Sequence, residues 1–482
     1  MRYFYLVLVS CVALGPQLFG QDFQEVATQN WHQWRGPTGN GVSASADPPV
    51  EWSETKNVKW KVEIPGKGVS TPIVWKDKVF ILTAIKTDRV KEGAEPKAEE
   101  NAAAQNAPPQ GIQDRPQRQA QGEGRGGRGG RGGGRRGGRG GRGGFGGAPP
   151  TNYYQFALIC YNRATGDEIW KKVATEEVPH EAGHGTNTFA SSSPTTDGEH
   201  IYVSFGSRGI FCFDMDGNKV WEEDLGEMQT AARFGEGSSL ALHDDTLVVP
   251  WDHEGDSFIV ALDKKTGEEK WKVERDEKTT WATPLIVNHN GRTQVVTNGR
   301  KVRSYNLEDG KLLWECGGQA SNPIPSPVIH EGLVYCMTGY KGYAIYAIPL
   351  DSEGDVTDSD TIAWSTKEAA PYVPSPTLYK GQLYFTKSRN GVLLSRDVKS
   401  GDLLMKETRL PGIDSLYASL VAASDRIYLT GRNGTTLVLK HGTKLEVLSS
   451  NELDDEIDAS PVPVGNELFL RGDKHLYCIA NK

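Results

Sequence analysis

Short runs of alternating apolar and polar residues repeat down this chain, each run only long enough for one β-strand. Ile201-Tyr202-Val203-Ser204-Phe205, Ile210-Phe211-Cys212-Phe213 and Lys219-Val220-Trp221 form one such set, with glycine-bearing turns at Asp197-Gly198, Gly206 to Gly209 and Asp216-Gly217. A small residue, a Ser or Thr and usually a proline open each set. A Leu-Asp-x-x-Thr-Gly-x-x-x-Trp phrase closes it, clearest from Leu262-Asp263 through Thr266-Gly267 to Trp271. Gly166 and Trp170, Gly217 and Trp221, Gly310 and Trp314, and Gly401 and Met405 keep the same spacing. No stretch within the sets carries helical periodicity of useful length.

The opening positions are Pro72, Pro194, Leu240, Pro284, Pro327, Pro376, Leu420 and Pro461, and from Pro194 they step by 46, 44, 43, 49, 44 and 41 residues. A period in the forties with four strands per unit predicts a propeller. The expected fold is all-β, an eight-bladed ring of four-stranded antiparallel blades. The last unit stops at Cys478-Ile479-Ala480 without its outer strand, while the orphan Val58-Lys59-Trp60-Lys61-Val62 precedes the first. That N-terminal strand is expected to complete the eighth blade and close the ring, removing free edges. The repeated Trp is expected to wedge between neighbouring sheets.

These repeats resemble the pyrroloquinoline-quinone (PQQ)-like repeat β-propellers, including the outer-membrane-assembly propeller lipoproteins and, more distantly, the quinoprotein dehydrogenases. The resemblance spans about residues 31 to 482, apart from one insertion. The lead-in Trp31-His32-Gln33-Trp34-Arg35-Gly36-Pro37 with Gly39-Asn40-Gly41 is similar to that of secreted planctomycete-type members. The resemblance implies an eight-bladed ring. Catalytic members use calcium-bound PQQ, a base carboxylate and often a vicinal cysteine pair; this chain has no Cys-Cys, and no calcium ligands or base can be matched.

Residues 1–20 read as a secretory signal peptide, with Arg2, an apolar run from Tyr3 to Leu14, and cleavage before Gln21. The run is too short to span a membrane, and no other segment qualifies. Leu8-Val9-Ser10-Cys11 also fits a lipidation box, which would anchor the protein at Cys11. Residues 21–52 form the lead-in and 53–482 the propeller. Five cysteines remain after cleavage; Cys160, Cys212 and Cys478 share one third-strand position and read as buried apolar residues, while Cys316 and Cys336 lie in adjacent units and are left open as a pair.

An insertion, residues 86–152, interrupts the first blade and turns into Arg-Gly-Gly repeats from Arg125 to Gly144. Such composition buries no core and predicts disorder. Residues 84–155 hold thirteen Lys/Arg against seven Asp/Glu, six net positive charges in a chain of net charge −8, so the remainder carries −14. Arg-Gly-Gly repeats suit single-stranded RNA, but export argues against nucleic acid as the partner.

In a four-stranded blade, the second-to-third turn and the blade-to-blade crossover emerge on one face. Those turns carry Arg208, Arg300, Lys341, Arg389, Arg432 and Arg471, and the crossovers add Trp281, Phe234 and the histidines His180 and His184. A basic collar would draw an anionic ligand such as PQQ, an anionic glycan or a chain terminus; ordinary turn residues paired with local carboxylates are the alternative. Asp252 and Asp256, with Glu254, are weak candidates for a hard cation such as calcium. No zinc spacing, serine-hydrolase motif or phosphate loop is present, and fold alone does not confer dehydrogenase activity. The sequence reads as a monomeric, exported, non-catalytic scaffold of the periplasm or cell envelope. Its partners would be proteins or anionic polymers at the crossover rim. The alternatives are a PQQ-dependent alcohol or sugar dehydrogenase, and RNA binding through the insertion.

Overall fold

The computed structural model describes residues 18–93 and 147–481, with side chains from Phe23 onward. The leader through residue 17, Cys11 within it, and the Arg-Gly-Gly repeats lie outside the described residues. No helix among the described residues is long and apolar enough to cross a membrane.

Among the described residues, eight β-sheets follow one another around the ring, each built on four strands ordered from the axis outward, and two of them carry a fifth. Blade 1 consists of Ile73–Trp75, Lys78–Val90, Asn152–Asn162 and Glu168–Glu177. Its central pairing continues to Val90↔Asn152, so residues 86–90 and 152 belong to the hairpin and not to the insertion. Blade 8 consists of Val462–Val464, Glu467–Arg471 and His475–Ala480, completed by Val58–Glu63 from the other end of the chain. Trp60 pairs with Cys478 and Val62 with Leu476, which closes the ring as expected. Two short strands were not expected. Val42–Ser43 adds in parallel to the inner strand of blade 7, and Gly354–Asp355 to the outer strand of blade 4.

Two side-chain devices, repeated at the blade period, hold neighbouring blades together. The first is a closed belt around the axis. The backbone N–H of Thr71 donates to Ser193 Oγ, Ser193 to Ser239, Ser239 to Thr283, Thr283 to Ser326, Ser326 to Ser375, Ser375 to Ser419, Ser419 to Ser460, and Ser460 back to Thr71, over 2.8–3.2 Å. This is why a Ser or Thr opens every unit: its backbone N–H lies just ahead of the inner strand, outside the sheet ladders, and the next blade's hydroxyl satisfies this buried donor. The proline that usually follows has no N–H to leave unpaired.

The second device is the tryptophan. Trp60 Nε1 donates to Arg163 O at 2.9 Å, Trp221 Nε1 to Lys264 O at 2.9 Å, Trp271 Nε1 to Leu307 O at 2.7 Å and Trp364 Nε1 to Val398 O at 2.9 Å, each carbonyl lying in the next blade. The indoles rest against the turn glycines Gly166, Gly267, Gly310 and Gly401 of that blade, where a Cβ would come within 3 Å of the ring. Trp314 departs from the pattern. It is fully buried and donates to Gln294 Oε1 at 3.2 Å, within its own blade. Cys160, Cys212, Cys316, Cys336 and Cys478 are all free and buried.

Candidate functional site

Residues Trp31 to Gly41 run across one face of the ring, over the inner strands. Trp31 exchanges backbone hydrogen bonds with Val74, His32 O accepts from Thr196 N, and Gly41 O accepts from Ala422 N. Arg35 is buried at 3% exposure, with its guanidinium donating to Leu420 O at 2.9 Å and Pro376 O at 2.7 Å. Desolvation lowers its pKa to about 9. Asn40 Nδ2 donates to Ile329 O and its Oδ1 accepts from Ile329 N. The lead-in thus ties blades 1, 2, 5, 6 and 7 to one strap. Trp34, at its middle, lines both a cavity of about 850 Å³ on the strap side and one of about 750 Å³ on the crossover side. The crossover cavity is therefore a funnel on the axis with Trp34 at its base.

The funnel is walled by the belt residues Thr71, Ser193, Ser239, Ser419 and Ser460, with aromatic side chains above them. Tyr340 and Tyr372 stack at 4.8 Å with a 21° interplanar angle. Trp281 Nε1 donates to Gly235 O at 2.7 Å, and His184 meets Phe234 edge-on at 5.2 Å. Tyr417 lies between two guanidiniums, with Arg432 4.5 Å and Arg389 5.7 Å from its ring centre. Its hydroxyl accepts from Arg389 Nη1 at 2.6 Å. Burial, then Arg389 and Arg432, lower the pKa of His184, which favours its neutral form. The walls are polar through hydroxyls and flat through aromatics, and only Asp458 among them is a carboxylate.

The structure distributes the predicted basic collar unevenly. Arg389 and Trp281 line the funnel. Arg208 is held by Glu177 at 2.6 Å and Glu227 at 2.7 Å, so its charge is spent in the rim. Arg432 binds Asp458 at 2.7 Å and also Glu456. Burial, the largest influence, raises the pKa of Asp458 against that pairing. Arg300 and Lys341 are exposed, Lys341 lying 5.3 Å from the Tyr340 ring centre. Arg471 is buried at 1% exposure. His180 Nε2 lies 2.6 Å from Met228 O, so the two crossover histidines do not meet on a common ligand.

Asp252 is not an open cation ligand. Both its oxygens are taken, by Arg275 at 2.7 and 3.1 Å and by Thr280 at 2.9 Å, in a buried ion pair. Asp256 contributes its backbone carbonyl, 3.1 Å from His253 Nε2. Among the described residues no three His, Cys, Asp or Glu side chains come together as a metal set. With Asp458 as its one carboxylate, already paired to Arg432, the funnel does not fit a calcium-bound quinone.

Tyr340, Tyr372, Tyr417 and Trp34 were not singled out from the sequence. A signal for one of them existed: Trp281 and Tyr417 each stand two residues before a belt residue, Thr283 and Ser419.

A family model described as outer membrane protein assembly factor BamB matches residues 135–255 and 255–482. Among solved structures, the chain is similar to BamB from Moraxella catarrhalis, at 14% identity over 68% of this chain and 89% of that one, with a TM-score of 0.49. It is also similar to the computationally designed Ika8 protein, at 11% identity over 68% of this chain and 92% of that one, with a TM-score of 0.49. A search of curated proteins finds no match to this chain.

Proposed function

Because the chain belongs to the family of the outer membrane protein assembly factor BamB, we propose that it is an exported, non-catalytic binding propeller of the cell envelope, acting as a scaffold for protein partners on its crossover face. The observation that carries this reading is the funnel. Trp281, Tyr340, Tyr372 and Tyr417 present aromatic surface around its walls, while Trp34 lies at its base. Aromatic side chains of this kind supply large contact area at low entropic cost, as in protein interfaces generally. The hairpin of Lys78–Val90 and Asn152–Asn162, from which the basic insertion departs, belongs to blade 1, and in this reading the insertion is an additional arm.

Site-specific photo-cross-linking in the source organism tests the reading. A cross-linker at Tyr372 is expected to capture envelope protein, and one at Glu199 on the strap side is not. Tyr372→Ala with Tyr417→Ala is expected to reduce capture from a neighbouring rim position at least about tenfold. Equal capture on both faces, or capture of polysaccharide alone, overturns the protein-scaffold reading. Recovery of the protein from the cytoplasm with residues 1–20 still attached overturns export.

A further inference from the structure

Blades 2, 6 and 7 each bury a small hydroxyl eleven residues after their belt residue, namely Ser204, Thr386 and Thr430; blade 8 has Arg471 at that place. All four end the second strand of their blade, in the registers Ser204↔Ile210, Thr386↔Leu393, Thr430↔Thr436 and Arg471↔Leu476. The repeat therefore needs only a small polar side chain here. A guanidinium must instead be desolvated, which costs free energy unless its donors are satisfied.

They are only partly satisfied. Arg471 Nη1 donates to Ser70 O at 3.0 Å and to Ser70 Oγ. Its Nε is buried without a partner, and among the described residues Nη2 makes no hydrogen bond and no carboxylate pairs with the side chain. Burial lowers the Arg471 pKa to about 9. The side chain borders a cavity of about 420 Å³ at the seam of blades 8 and 1. Gly68 leaves it room, since a Cβ there would lie 2.2 Å from Nη2.

The other charges of the cavity are committed elsewhere. Arg432 holds Glu456 and Asp458, and Lys67 holds Asp473. Tyr154 and Phe189, edge to face at 5.2 Å, supply an apolar wall.

We propose that this cavity is a binding site for a single organic carboxylate, received by the Nε–Nη2 edge of Arg471. That edge is a planar pair of donors matched to the two oxygens of a carboxylate. Three fixed carboxylates in the same walls disfavour a more highly charged anion such as phosphate, which is partly dianionic at pH 7. The aromatic wall favours an acid with an apolar body. The proposal goes beyond the scaffold reading and does not rest on it.

Calorimetric titration of the full chain with sodium benzoate, sodium acetate and sodium phosphate, at pH 7 in carboxylate-free buffer, tests it. Saturable one-to-one binding of benzoate is expected, with acetate weaker and phosphate silent. Arg471→Ser copies blades 2, 6 and 7 and is expected to abolish the benzoate signal. Arg471→Lys keeps a charge without the fork and is expected to weaken binding at least about tenfold. The peptide acetyl-Gly-Glu-Gly-amide separates two sources of the same group: benzoate binding alone assigns a free acid, and binding of the peptide as well assigns a protein carboxylate. Absence of saturable binding of benzoate and peptide to the unaltered chain overturns the proposal whatever the variants do. So does unchanged benzoate binding by Arg471→Ser, or preference for phosphate.

Discussion

Trp271 and Gly310 lie in neighbouring blades, and a Cβ added to Gly310 would sit 2.7 Å from the indole of Trp271. The ring is 8% exposed, and its Nε1 donates to Leu307 O at 2.7 Å. The glycine also has φ +72°, a left-handed turn conformation. One residue pair therefore sets a turn and seats a blade. Trp271→Ala is expected to cost about 3–5 kcal/mol, as for other buried aromatics. Equilibrium denaturation measures it, and a loss under about 1 kcal/mol would show that the indole does not secure the seam.

The belt makes a smaller and more specific prediction. Ser375→Ala strips the acceptor from the buried N–H of Ser326, which now donates to Ser375 Oγ at 3.0 Å. A buried donor left unpaired costs about 1–3 kcal/mol. Ser375→Thr keeps the hydroxyl and is expected to stay near the parent stability. Hydrogen exchange at Ser326 is expected to accelerate in the alanine variant alone; equal rates in both variants would remove the belt as a stabilising element.

His32 governs part of the acid limb. It packs in the strap beside Phe23, at 5.5 Å between ring centres, and its buried Nδ1 has no partner. Burial lowers its pKa from 6.5 to about 4. The unfolded chain thus binds a proton at a pH where the folded chain does not, so stability is full above about 6.5 and falls as the pH drops through 6.5 toward 4. The linkage amounts to roughly 3 kcal/mol. His32→Phe is expected to flatten this window, read from denaturation midpoints between pH 7 and 4. An unchanged slope would place the acid sensitivity in other groups.

Ring closure by Val58–Glu63 can be tested by removing residues 21–63. The deletion exposes the third strand of blade 8 as an open edge and removes the strap as well. Open edges promote association, so size-exclusion chromatography is expected to show loss of the monomer peak. A monodisperse product of unchanged thermal midpoint would mean that the terminal strand does not secure the ring.

Much of this architecture was readable beforehand because each blade repeats one local code. A Ser/Thr at the inner edge, turn glycines and an outer Trp recur in the sequence where they recur in space. The site was less readable. The sequence left open whether Arg208 was free or paired with a local carboxylate, and only the fold brings Glu177 and Glu227 to it; Asp252, a weak cation candidate, has its oxygens taken by Arg275 and Thr280. Tyr340 comes from a second-to-third turn and Tyr372 and Trp281 from two different crossovers, and they share a funnel only once the ring has closed.

Blade number, strand order and the partner of the orphan strand follow from the sequence alone, because strand alternation and the belt and Trp positions act over a few residues and then repeat. Which charges stay free, where Trp34 ends up and what surrounds Arg471 were decided by tertiary structure. Those outcomes depend on contacts between side chains tens to hundreds of residues apart, such as Arg35 with Leu420. No local pattern records such distances, and whether a charge is paired or a cavity left open is set by what the closed ring brings alongside.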